Sequence, residues 1–361
     1  MTLAQALLDA VRAQQFEGTA DRWRGGAAVE AFPSIDLAVV RFAPGAQPQA
    51  ANVLFSREHP QGLTAEFSGS FGPVAHIRFD QDLQDDQGNS CAWAPGADWS
   101  RIDFQPLHGT GPQRMVAPYP ASLLKLVVAV GVGLAVEAGH CGWPDELEPM
   151  ITVSSNEATD ACVALLHRTG AIPTLQATLR RWGLHTLQLN DTTAAGGWRN
   201  ANGSGVGHIH MTAWDTVRLL WLLDADAPPP PWLPPGTATL QATTRGHLRD
   251  VLQRQQLDEI LSSGALQDVP GWVQGLPDAP AFAHKTGTTD NYASDAGIVK
   301  TASAHYLVAV LTNLGRRYAA ADAPYDPQQN PKQNPAQDRC ATTWRLPALG
   351  AAVHHLIETL P

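Results

Sequence analysis

The sequence predicts an α+β fold: an antiparallel sheet built from both chain ends, flanked by helices, with an all-helical domain inserted between the two strand-forming regions. Three observations predict it. Short β-branched and aromatic runs fill the first third of the 361 residues, long apolar-periodic segments fill the middle, and strand patterns return near the end. A last amphipathic stretch closes the chain.

In order, "MTLAQALLDAVRAQQF" reads as an amphipathic surface helix. "SIDLAVVRF", "ANVLFS", "LTAEFSG" and "VAHIRFD" are short strand patterns separated by Gly, Pro and polar turns. Residues 81–117 are acidic and then Pro/Gly-rich, and read as irregular loop. From Leu123 to Val136 nearly every residue is apolar or glycine, which predicts a buried helix. Further helices follow at "EATDACVALLHRTG", "IPTLQATLRRWG", "TAWDTVRLLWLLD" and "RGHLRDVLQRQQLDEILSSG". Strands return at "AFAHKTGTT", "SDAGIVKT" and "HYLVAVLTN", and "WRLPALGAAVHHLIETL" supplies the final helix. "AAGGWRNANGSGVG" (194–207) and "ADAPYDPQQNPKQNPAQD" (321–338) read as loose surface segments. The expected division is 1–117 and 276–361 forming the α/β part, and 118–275 forming a mainly helical domain. The β-rich material before residue 118 either adds strands to the sheet or forms a small appended unit.

Composition narrows the function. A net charge of -10 with no basic patch argues against nucleic acid as a partner, and solubility accounts for the acidity. "LLKLVVAVGVGLAV" is too short to span a membrane and carries a lysine. No stretch reads as a secretion signal, so the chain is expected to be cytoplasmic, or periplasmic or secreted if it is a trimmed mature form. Cys91, Cys141, Cys162 and Cys340 have no metal-ligand spacing and are expected to be buried free thiols. Lysine is the informative residue. Only Lys125, Lys285, Lys300 and Lys332 occur, so a lysine inside an apolar helix points to an amine whose pKa can be moved, which arginine does not offer.

Three motifs carry chemistry. Ser122-Leu-Leu-Lys125 opens the buried helix, with Ser122 at its N-terminus and Lys125 on the same face. An N-cap serine and a snorkelling lysine give one reading. In the other, burial lowers the pKa of Lys125, and the neutral amine takes the proton of the Ser122 hydroxyl. Ser154-Ser155-Asn156 precedes a second helix. It reads either as a capping box, with Ser154 as cap and Glu157 three residues on, or as a proton relay at Ser154 with a substrate-holding amide at Asn156. Lys285-Thr286-Gly287 lies at a strand end. It is either a solvated edge-strand lysine or a carboxylate-binding strand whose glycine admits substrate backbone.

Together, in this order and these contexts, the motifs resemble the β-lactamase and penicillin-binding superfamily of serine hydrolases, and its class A branch most closely. The likeness runs from about Tyr119 to Leu314. It implies a β-lactamase-like fold and a covalent acyl-enzyme at Ser122, with Lys125 as general base. Ser154 would pass a proton to the leaving group and Asn156 would orient Lys125 or the substrate amide. Lys285, Thr286, Gly287 and Thr288 would bind substrate, and the backbone N–H groups of Ser122 and Thr288 would form an oxyanion hole. The implied partner is a small-molecule or peptide-like acyl substrate, an amide, β-lactam or ester bearing a carboxylate. No metal or cofactor is implied. A D-amino-acid peptidase, a carboxylesterase and a non-turnover penicillin-binding or sensor protein are the alternatives.

The sequence departs from the class A pattern in three places. Ser155 stands where that branch usually has aspartate. The segment between Ser122 and Ser154 is shorter, so one wall of the cleft is expected to be missing or rebuilt. The water-activating glutamate of the Glu-x-x-Leu-Asn pattern is absent: Thr186 stands three residues before Leu189-Asn190. Asp191, His208 and His210 are the nearby groups able to replace it, although each also reads as an ordinary loop residue. Lys125 itself is a further candidate for deacylation.

Overall fold

A computed structural model describes residues 1–82, 98–195, 208–319 and 342–360. Helix α1 (Leu3–Ala13) starts at Thr2, whose hydroxyl accepts from Gln5 N, and buries the stripe Leu3, Leu7, Leu8 and Val11. Two short strands, β1 (Ala20–Asp21) and β2 (Ala27–Ala28), pair as a ribbon. Then come β3 (Ile35–Phe42), β4 (Gln49–Phe55) and the two-residue β5 (Leu63–Thr64). Strands β6 (Ile77–Gln81), β7 (Pro106–His108) and β8 (Gln113–Ala117) form a separate three-stranded sheet, in which β6 is parallel to β8 and antiparallel to β7.

The middle of the chain is helical: α2 (Lys125–Glu137), α3 (Leu147–Thr152), α4 (Asn156–Arg168), α5 (Ala171–Arg181), α6 (Ala213–Leu223) and α7 (Ala242–Leu252). Between α5 and α6, β9 (Gln188–Asn190) pairs with β10 (His208–His210). Strands β11 (Phe282–Thr288), β12 (Ala293–Lys300) and β13 (His305–Thr312) follow, and α8 (Arg345–Thr359) is the last helix.

The main sheet has the order β11-β12-β13-β3-β4-β5 and is antiparallel throughout. Its centre joins the two ends of the chain, with Ile35 opposite Thr312 and Phe42 opposite His305. The central strands are buried on both faces, which explains why "IDLAVVRF" and "HYLVAVLT" are nearly continuous apolar runs. Helices α1 and α8 cover one face, and α6 covers the other with α2, α4, α5 and α7 beyond it. Helix α2 is buried along almost its whole length. Gly131 makes this possible, because a Cβ there would stand 2.9 Å from Leu175 and 3.0 Å from Leu166. Among the described residues, no helix is long and apolar enough to cross a membrane.

The α+β architecture and the sheet drawn from both chain ends hold as expected. Several local readings are corrected. Residues 98–117 are not wholly irregular: they supply β7 and β8, whose apolar residues Leu107 and Met115 pack into the core on the helical side. The stretch "RGHLRDVLQRQQLDEILSSG" is helical only to Leu252. Beyond it the buried amide of Gln255 bonds the carbonyls of Ile151 and His284, at 3.0 and 3.2 Å, and ties this segment to α3 and β11 instead of continuing the helix. Helix α3 and the β9–β10 ribbon, too short for periodicity to reveal, were not anticipated. Most of 194–207 and all of 321–338 lie outside the described residues, as do Cys91 and Cys340. Cys141 and Cys162 are free thiols, and burial pushes the Cys162 thiol up to about 12.

One buried carboxylate couples the sheet to the helical side. Asp36 on β3 accepts from Ala213 N at the start of α6 at 2.8 Å and from Asn52 Nδ2 at 2.8 Å. Its negative charge complements the helix N-terminus. Burial raises its pKa to about 6. Replacing it with alanine strands a buried helix N–H and leaves the Asn52 amide only its bond to the Leu37 carbonyl. The Asp36→Ala variant is expected to lose about 2–4 kcal/mol in urea unfolding at pH 7.

Candidate active site

Ser122 lies in a 3-10 turn, Ala121–Leu124, that runs directly into α2. Ala121 holds a left-handed backbone, φ 50°, which for a residue with a Cβ costs on the order of 1 kcal/mol or more. That strain sits immediately before the serine and fixes the direction of its N–H. The half-buried Ser122 side chain contrasts with Lys125 one turn on, which is fully buried.

Lys125 Nζ donates to the Ser154 carbonyl at 2.6 Å, to Ser154 Oγ at 3.0 Å and to Asn156 Oδ1 at 2.9 Å. Burial brings its pKa down to about 7, against the opposing pull of the Asp160 carboxylate. It is therefore not a snorkelling lysine. Lys285 approaches Ser154 from the sheet: its Nζ also lies 3.0 Å from Ser154 Oγ and donates to the Thr286 carbonyl at 2.7 Å. It too is fully buried, not a solvated edge lysine. Burial, and then the like charge of Lys125, hold its pKa well below the ordinary lysine value.

The second motif divides its labour differently from the expected capping box. Ser155, not Ser154, caps α4: its hydroxyl accepts from Ala158 N at 3.1 Å. Serine and aspartate are about equally good at this task, which explains why Ser155 can stand where aspartate is usual. Ser154 is left outside the helix in a left-handed conformation, φ 56°, with its side chain turned to the two lysines. Asn156, the first helical residue, completes the set.

The third motif lies on β11, the edge strand of the sheet. A Cβ at Gly287 would stand 2.4 Å from the Pro120 carbonyl oxygen and 2.7 Å from Leu123 N, so only glycine lets β11 lie against the serine turn. Ser294, opposite Gly287 on β12, locks the contact by donating to the Pro120 carbonyl at 2.6 Å. Thr286 is buried and Thr288 half-buried on the same strand.

Several supporting groups escaped the sequence reading. Ser294 was recoverable in principle, because antiparallel register places it across from Gly287. The fully buried His284, one residue before Lys285, was not. Its Nδ1 lies 2.8 Å from Asp295 and its Nε2 3.2 Å from Asp258. Burial opposes its charge, but the two carboxylates outweigh burial and raise its pKa to about 9. Behind it, burial raises Glu259 to about 7 against the pull of Arg316 and Lys285. Thr186, at the position of the missing glutamate, is committed elsewhere: its N–H and hydroxyl bond the Asp215 carboxylate at 2.9 and 2.7 Å. Asp191 is exposed, and His210 lines a small cavity with Pro118 and Tyr119, just before the serine turn. Among the described residues, no cluster of three or more His, Cys, Asp or Glu has an arrangement suited to a metal ion.

This arrangement places a hydroxyl on a helix-opening turn three residues before one of two buried amines that share a second hydroxyl. The Beta-lactamase enzyme family profile matches residues 140–324, just over half the chain and including the second and third motifs, and the chain belongs to that family. No curated protein matches it. Among solved structures, it is similar to the TLA-3 extended-spectrum beta-lactamase, with 11% identity, 99% of this chain and 100% of the other covered, and a TM-score of 0.50. A beta-lactamase from Sphaerobacter thermophilus DSM 20745 matches at 14% identity over 99% and 98%, with a TM-score of 0.49. PBP-A matches at 15% identity over 100% and 98%, also with 0.49.

Two predictions follow from this packing. Gly287→Ala is expected to push β11 away from the serine turn and lower stability in urea unfolding by about 1–3 kcal/mol, as overpacking of a close contact does. Far-UV circular dichroism should be unchanged. The His284 clamp predicts a pH signature. An unfolded imidazole titrates near about 6.5, whereas the folded one does so at about 9. The stabilisation is therefore complete below the first value and is lost as pH rises through the second. Urea midpoints of the native protein and His284→Asn should differ most at pH 6 and converge toward pH 10.

Proposed function

We propose that this chain is a serine acyl-hydrolase that forms a covalent ester at Ser122 with an amide, β-lactam or ester substrate bearing a carboxylate. The observation that carries the reading is the convergence of two buried lysines on Ser154 Oγ, one of them three residues after Ser122.

In this reading Lys125 acts first. Burial supplies its neutral form near pH 7, and the lone pair takes the proton of Ser122 Oγ as the oxygen attacks the acyl carbon. The carbonyl π electrons move to the oxygen, which the N–H groups of Ser122 and Thr288 receive. Ser154 Oγ accepts from both lysines, so its own proton points elsewhere and is available to the leaving nitrogen or oxygen. The acyl–heteroatom bond breaks, the leaving group takes that proton, and Lys125 returns one to Ser154 across 3.0 Å. Asn156 keeps Lys125 aimed by accepting one of its N–H bonds. Lys285 contributes positive potential to the substrate carboxylate, with the Thr286 and Thr288 hydroxyls as hydrogen-bond donors. A D-amino-acid peptidase or carboxylesterase uses the same steps with a different acyl group. A penicillin-binding sensor stops at the ester.

Intact-protein mass spectrometry with benzylpenicillin and turnover of p-nitrophenyl acetate test the assignment. Ser122→Ala should abolish both adduct and ester turnover, and ester turnover that survives this change sinks the reading. The acylation rate should rise with pH through about 7 as Lys125 loses its proton. Lys125→Arg, which keeps the charge but cannot act as a base, should acylate about 10²–10⁴-fold more slowly.

A further inference from the structure

An acyl ester at Ser122 has to be cleared for turnover, and the position where the class A pattern carries its water-activating glutamate holds Thr186, already bonded to Asp215. The structure offers a carboxylate from a different element. Helix α4 begins at Asn156, whose side chain holds Lys125 Nζ. At 3.6 residues per turn, Asp160 lies roughly 40° around the helix from Asn156, one turn along, and His167 lies roughly 20° around, three turns along. His167 Nε2 meets Thr192 Oγ1 at 2.9 Å, just beyond Leu189-Asn190. The α4 face that carries Asp160 is thus fixed at one end to Lys125 and at the other to the segment after β9. Asp160 lies between them and is half-buried.

We propose that Asp160 is the carboxylate that activates the deacylating water, so that the base comes from helix α4 and not from the loop before Leu189-Asn190. This inference rests on the Ser122 acyl-enzyme reading. The electrostatics agree with the geometry: Asp160 is the carboxylate whose field acts on Lys125. Asp191 is exposed, and the charges acting on Glu259 are those of Arg316, Lys285, Asp295 and His284, with Lys125 not among them. In the step, the Asp160 carboxylate takes a proton from water as the water oxygen bonds to the ester carbonyl carbon. The π pair moves to the carbonyl oxygen. When it returns, the bond from carbon to Ser122 Oγ breaks with its electron pair on Oγ. Asp160 first returns its proton to Lys125, and the ammonium so formed gives one to Oγ. The product leaves as a carboxylic acid, and Ser122, Lys125 and Asp160 are restored.

The test is intact-protein mass spectrometry with benzylpenicillin, following adduct formation and loss separately. Asp160→Asn should acylate within about threefold of the native rate and hold the adduct at least about 100-fold longer. Asp160→Glu should recover part of the clearance. If Asp160→Asn does not fold, Asp160→Ser, which keeps a polar group and room for water, carries the same measurement. Clearance at the native rate in the folded variant overturns the proposal. So does clearance lost in His210→Gln but kept in Asp160→Asn. A native Ser122 adduct that never clears also overturns it, while leaving acylation at Ser122 intact. Absence of any Ser122-dependent adduct or turnover in the native protein defeats the underlying reading, and this inference with it.

Discussion

The site depends on keeping two amines dry beside one hydroxyl. In water, two ammonium groups this close would each be solvated and their repulsion screened. Here neither is exposed, and both lie within 3.0 Å of Ser154 Oγ. Burial and mutual repulsion both favour loss of charge, so the pair carries less than two protons near neutral pH. The apolar length of α2 and the close approach of β11 to the serine turn keep the amines themselves buried, while Ser122 and Ser154 stay half-buried and Asn156 exposed.

Two of the residues held in left-handed conformations fit this picture. Ala121 lies immediately before Ser122 and Ser154 touches both buried amines, and each holds a left-handed conformation. Each aims a functional group that regular helix geometry would aim elsewhere. In Ser154 the strain goes with a division of roles, because Ser155 supplies the cap and leaves its neighbour's hydroxyl for the lysines. In Ala121 it goes with the close packing of Pro120 and Leu123 on Gly287. Rigid packing on both sides offsets the cost.

Much of this was legible in the sequence because it rests on local signals. The buried helix with a lone lysine, the serine pair before α4 and the strand carrying Lys285 each stand out within about ten residues. The unread parts depend on distant partners. His284 looks like any strand residue until Asp258 and Asp295 are brought to it from 26 and 11 residues away. Residues 106–108 and 113–117 carry too few side chains for alternation to show, and β6 pairs with both from outside that stretch. The end of α7 at Leu252 reflects the pull of Gln255 toward α3 and β11, which outweighs good helix propensity. Asp160 carries no motif at all, and only the orientation of α4 gives it significance.

The pairing of β3 with β13 also sets an order of events during synthesis. Residues 35–42 emerge early, yet their central neighbour is residues 305–312. Until then β3 has only β4 beside it, and its second edge is open. Strand β11 reaches the sheet only through β12 and β13, so the sheet that holds Lys285 against Ser154 is whole only once β13 has paired with β3. The helical side and its serine turn can collect before that point. The site is therefore completed late, by closure of a contact between the two ends of the chain, and a nascent chain that stops short of β13 carries Ser122 and Lys285 without the strand that joins β11 and β12 to β3.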